Sequence, residues 1–83
     1  MSYQSQLRAN IVAELSRRDI TQTDAAKRMG LPQNALSARI RGRIDFRIGE
    51  LVALADLLGV RLDVLTEGVQ EPAERMQDRA VGA

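Results

Sequence analysis

Four glycines punctuate this chain. Gly30, Gly42, Gly59 and Gly68 each close a short segment in which apolar residues recur three or four positions apart. That is the period of an amphipathic helix ending at a residue that accepts a helix-stopping backbone. A run of short helices must pack on a shared core, and 83 residues allow one domain and a small core that has to be efficient.

The segments read as five helices. The first covers about Ser5 to Arg17, with Leu7, Ile11 and Leu15 four apart and Val12 beside them. Asp19-Ile20 is a short connection. The second starts after Thr21, a good N-cap, carries Asp24 in its first turn, turns Ala25, Ala26 and Met29 inward, and stops at Gly30. The third runs from about Gln33 to Arg41, after Pro32, with Leu36 and Ile40 as its apolar pair. Arg43 to Arg47 is a loop, and the alternation of Ile44 and Phe46 predicts that it is pinned to the core at two points. The fourth spans about Ile48 to Leu58, with Ile48, Leu51, Val52, Leu54, Ala55 and Leu58 as a wide apolar face; the fifth is a short turn from Leu62 to Thr66. Residues 1–68 form the predicted domain. Residues 69–83 have few large apolar side chains and read as a tail, frayed or partly helical from Ala73 to Arg79.

Composition narrows the chemistry. The chain has no Cys and no His, so it lacks a thiolate, an imidazole base and the usual ligands for zinc. No pair of carboxylates has a recognisable spacing and no glycine-rich phosphate loop is present, so neither an enzyme nor a metal or cofactor site is expected. Tyr3 and Phe46 are the only aromatics, which argues against a stacking surface for single strands. No apolar stretch is long enough to span a membrane and no secretory leader is apparent, which makes the cytoplasm the expected location.

Charge is segregated. From Arg8 to Arg47 there are nine bases against four acids, a surplus of +5, whereas Ile48 to Ala83 holds three bases against seven acids, a balance of −4. Within the basic part, Thr21 to Gly42 has the form of a helix, a short glycine-containing turn and a second helix, with Ala26 small enough for a close crossing and Leu31 and Leu36 filling the space between. An ordinary αα-hairpin has the same outline. The third helix is unlike a generic solvated helix, because its exposed side reads Gln33-Asn34, Ser37-Ala38, Arg41. Gln and Asn can pair with adenine and Arg with guanine, and the N-terminus of a recognition helix is where base edges are met.

Residues 11–65 resemble the Cro/CI-type helix-turn-helix domain of phage repressors and bacterial regulators. Ile20-Thr21-Gln22 resembles the start of that family's second helix. Ala25-Ala26-Lys27-Arg28-Met29-Gly30-Leu31 is similar to its L-A-x-x-L-G-V, and Glu50 to Val60 to its L-x-x-I-A-x-A-L-G-V. The resemblance implies an all-α, five-helix bundle of the lambda-repressor type and a DNA-binding transcriptional regulator, usually a repressor. It implies phosphate contact by Gln22, to which the exposed and basic positions Thr23, Lys27, Arg43 and Arg47 are added. It implies base contact by the start of helix three, here Gln33, Asn34 and Ser37, with Ala38, Arg39 and Arg41 further along. Two departures stand out. Pro32 replaces the usual Ser or Thr cap of the recognition helix, and Arg39 occupies a usually apolar position, so that it is open whether Arg39 reaches a base or a phosphate.

The partner so implied is double-stranded DNA. A protein-interaction module of antitoxin or anti-repressor type, keeping the fold without binding DNA, is the alternative that the acidic second half suggests. Dimerisation is open: Leu57, Val60 and Val64 are either core or a small apolar patch on the outer side of the last two helices, suited to a symmetric contact with a second chain, and residues 69–83 are either an interface arm or a linker.

Overall fold

The computed structural model describes residues 3–69; of the expected tail, residues 69–83, only Val69 is described, partly buried against the core, and the rest lies outside the described residues. The described chain is helical, in the order α1 (Tyr3–Arg17), α2 (Gln22–Met29), α3 (Gln33–Ile40), α4 (Ile48–Leu58) and α5 (Leu62–Leu65). Among the described residues there is no strand. The fold is all-α, as the periodicity and the resemblance both imply.

Each helix delivers its apolar stripe to one core. Leu7, Ile11 and Leu15 come from α1, Ala25 and Ala26 from α2, Leu36 from α3, Leu51, Leu54, Ala55 and Leu58 from α4, and Leu65 from α5. The packing is a ring of neighbours: α2 lies on α3 and α4, α4 on α5, and α1 on α5 and α3. Ala25 and Ala26 are completely covered, so small side chains on α2 permit its close approach to both partners. Leu57 and Val60 pack against this core and are partly buried, and Val64 is half-buried as well.

The helix ends show why the chain turns where it does. After α2 the backbone enters the left-handed region at Gly30 (φ 72°), and Leu31 N–H returns to the Ala26 carbonyl at 2.9 Å. After α3 the same closure recurs at Gly42 (φ 84°), with Arg43 N–H on the Ala38 carbonyl at 2.9 Å. Both follow the pattern in which a left-handed residue lets the next amide satisfy an orphan carbonyl. The α1–α2 connection uses it too, with Asp19 (φ 54°) in the glycine's place and Ile20 N–H on the Leu15 carbonyl at 3.0 Å.

Several details differ from the sequence reading, among them Val12, which is 40% exposed rather than part of the buried stripe of α1. First, α1 starts at Tyr3 rather than Ser5, because Gln4 is buried and its Oε1 accepts the Phe46 N–H at 3.1 Å, giving the extra turn a packed role. Second, the 43–47 loop is pinned at Phe46 but not at Ile44, which is 48% exposed. Its chain is irregular rather than extended, so alternate residues do not share a face. Third, Ile48 and Val52 are 67% and 53% exposed, so the buried face of α4 is narrower than its apolar composition. The ends of α3 and α5 fall one residue before the expected positions, within ordinary helix fraying.

Candidate nucleic-acid interface

α2 and α3 meet through a tight turn. Thr21 caps α2, its hydroxyl accepting the Asp24 N–H at 3.1 Å. Gln22 and Thr23 therefore sit in the exposed first turn of α2, and Lys27 is exposed one turn later. Pro32 precedes α3 with no side-chain cap, leaving the amides of the first turn of α3 without a side-chain partner from that position. Leu36, wholly buried, fixes the rotation of α3 about its axis.

That rotation turns one face of α3 outward. Asn34, Ser37, Ala38 and Arg41 stand at i, i+3, i+4 and i+7, and together with Arg43 they line a shallow cleft of about 130 Å³. The structure thus gathers five of the residues that the sequence reading selected. Gln33 is exposed at the start of α3, beside the cleft lining rather than in it, and Arg47 is exposed at the N-cap of α4.

Arg39 does not join this set. Its Nε donates to Glu50 Oε1 at 2.9 Å, its Nη2 lies 2.9 Å from Glu50 Oε2, and its Nη1 donates to the Ala35 carbonyl at 2.8 Å. Each guanidinium nitrogen has an intramolecular partner, and the side chain is only 13% exposed. Glu50 Oε1 also accepts the Arg47 N–H at 2.9 Å, which caps α4. The pair therefore locks α3 to the start of α4 and holds the intervening loop by both ends. The Arg39 hydrogen bond is the main reason the Glu50 carboxyl titrates below its usual range, against the opposing effect of burial.

Other positioning bonds carried no sequence signal. The Gln4–Phe46 bond spans 42 residues, and Asn10 Nδ2 donates at 2.8 Å to the carbonyls of both Leu65 and Glu67, closing the end of α5. A polar residue on a helix reads as solvated until its distant acceptor is known. Elsewhere the charges pair locally: Glu14 takes Arg17 and Arg18, with the Arg18 hydrogen bond chiefly lowering its pKa, and Asp24 takes Arg28. Arg8, Lys27, Arg41, Arg43 and Arg47 have no carboxylate within 4.0 Å among the described residues.

No helix among the described residues is long and apolar enough to cross a membrane, and no cluster of acidic residues among them could hold a metal ion. No curated protein and no solved structure matches the chain. A family model described as helix-turn-helix matches residues 14–65, from the last turn of α1 through α5. With that match covering more than half of the sequence, and with α2, turn and α3 in the geometry the motif requires, the chain belongs to the Cro/CI-type helix-turn-helix family of DNA-binding regulators.

Proposed function

We propose that this protein is a sequence-specific regulator of transcription, acting as a repressor, that lays α3 in the major groove of double-stranded DNA. The observation that carries this reading is the single outward face of α3, where Asn34, Ser37, Ala38 and Arg41 share a cleft with Arg43. Its side chains suit base edges: Asn34 an adenine, Arg41 a guanine, Ser37 either, and Ala38 the methyl of a thymine. Gln33 stands at the leading end of the same helix. Gln22, Thr23, Lys27, Arg43 and Arg47 would take the phosphates that set register and orientation. Arg39, held by Glu50, acts by fixing how α3 is presented. Repression follows by occupying DNA that polymerase or a rival regulator needs, and such a protein works in the cytoplasm, at the chromosome.

Selection of bound duplexes from a random pool tests the reading. An enriched sequence is expected, and its half-site spacing reports whether one or two chains bind. Asn34→Ala is expected to relax preference at one base position, costing about 1–3 kcal/mol of discrimination there. Arg43→Ala is expected to weaken all duplexes alike. Absence of salt-sensitive binding at micromolar protein would overturn the reading in favour of a protein-interaction module. Equal losses on every duplex from both variants would overturn the assignment of α3.

A further inference from the structure

The cation set at the end of α3 is larger than the sequence indicated. Arg8 lies on α1, far in sequence from the helix-turn-helix, yet its guanidinium rests over Gly42. Its Cζ, Nη2 and Nη1 are 3.0, 3.1 and 3.3 Å from the point where a side chain at Gly42 would begin. Glycine at 42 therefore serves two needs, the left-handed turn and the room for Arg8. Gly42 separates Arg41 from Arg43, and both line the cleft of α3. The Arg8 guanidinium thus rests on the residue that separates two further arginines.

Among the described residues no charged group pairs with Arg8. Its one hydrogen bond among the described residues is from Nη2 to Ser5 Oγ at 3.3 Å, and none of the closing carbonyls of α3 accepts from it. No carboxylate among the described residues lies within 4.0 Å. Placement beside the negative pole of α3 stabilises a cation modestly, but a partly buried guanidinium lacking both a carboxylate and a carbonyl partner still has its strong donors to spend. A phosphodiester offers paired oxygens that match that fork.

We propose that Arg8 is a phosphate-binding residue of the DNA surface, carried by α1 across Gly42 to grip the backbone beside Arg43. The inference rests on the DNA-binding reading and adds a helix to the interface. Its test is binding of the full chain to a fluorescein-labelled mixed-sequence duplex, followed by anisotropy from about 50 to 200 mM salt, because phosphate contacts act on any sequence. Arg8→Gln is expected to weaken binding about tenfold at the low-salt end and to reduce the log–log salt slope by about 0.9. Arg8→Lys keeps the charge and is expected to keep the slope. Thermal melts of the free proteins accompany each titration. The melts are run at each salt concentration and the affinity is corrected for the folded fraction, so the slope reports the contact even if Arg8→Gln lowers Tm. An unchanged slope in Arg8→Gln, with Arg43→Ala reducing it, overturns the Arg8 assignment alone. A wild-type protein that binds no duplex in a salt-dependent way overturns the DNA reading itself.

Discussion

Glu50 joins three parts of the fold through two oxygen atoms. One accepts from Arg39 on α3 and from the backbone at Arg47, and the other faces a second Arg39 nitrogen. The pair is more than four-fifths covered, at 13% and 17% side-chain exposure, so water screens it less than a surface ion pair. Removing one partner leaves the other charge poorly solvated. Glu50→Gln is expected to cost about 1–3 kcal/mol at neutral pH, read by urea denaturation. The sign of its pH dependence follows from the depressed carboxyl. A folded-state pKa below the unfolded value means the stabilisation is fully present above the ordinary glutamate pKa of about 4.3 and is lost as pH falls through the lower folded value. The gap between wild type and Glu50→Gln is therefore expected to narrow in acid, below pH of about 4. Glu14, depressed in the same sense by Arg18, remains in both proteins and cancels from the comparison. A gap that stayed constant down to pH of about 2 would mean the ion pair adds nothing beyond shape.

At the scale of the element, legibility depended on distance along the chain. The start of α2 at its Thr21 cap, its end at Gly30, and α4 from Ile48 to Leu58 were readable because capping and termination are settled by residues three to five positions apart. The outward face of α3 was readable for the same reason, since Leu36 determines which side remains. The bonds from Gln4 to Phe46, Arg39 to Glu50 and Asn10 to Leu65 were not, because each needs a partner that only folding brings near. Ile44 was misread because alternation implies a strand's geometry and the loop has none. The repeated helix closure gives a direct check. At Gly30 nothing lies within 4 Å of an added Cβ, so the cost of Gly30→Ala is that of the left-handed backbone, about 1–2 kcal/mol. At Gly42 the added Cβ meets only the tip of Arg8, which can swing aside, so Gly42→Ala is expected to cost about the same 1–2 kcal/mol. Equilibrium denaturation of the two variants measures both values. A much larger loss at residue 42 would show that Arg8 is held in place by the fold.

Across the whole molecule, the near-neutral total of +1 conceals a segregation of charge. Two of the four acids of the basic half are paired locally, Glu14 by two arginines and Asp24 by a third, Asp19 and Asp45 have no basic partner within 4.0 Å among the described residues, and Arg39 is taken by Glu50 from the acidic half. What remains without a carboxylate partner among the described residues is Arg8, Lys27, Arg41, Arg43 and Arg47, one from α1, one from α2 and three between the end of α3 and the start of α4. Asp45, exposed between Arg43 and Arg47, is the one acid set among these bases in the segment from Arg41 to Arg47. The surplus of unpaired bases gives this part of the molecule a positive field, which under the proposed DNA-binding reading steers the duplex towards it. If the four of these cations assigned to phosphates, Arg8, Lys27, Arg43 and Arg47, each displace one counterion, the affinity for duplex DNA falls with salt at a log–log slope of about 4 for one bound chain, and about twice that for a symmetric pair. Sedimentation of the complex fixes the number of chains, so the slope per chain follows without assuming a stoichiometry. A value near 1 per chain would mean that most of these side chains remain in water when DNA binds. A value near 4 requires α1, α2 and the segment around α3 to meet the backbone together, which the loop clamp of Gln4 on Phe46 and Arg39 on Glu50 makes geometrically rigid.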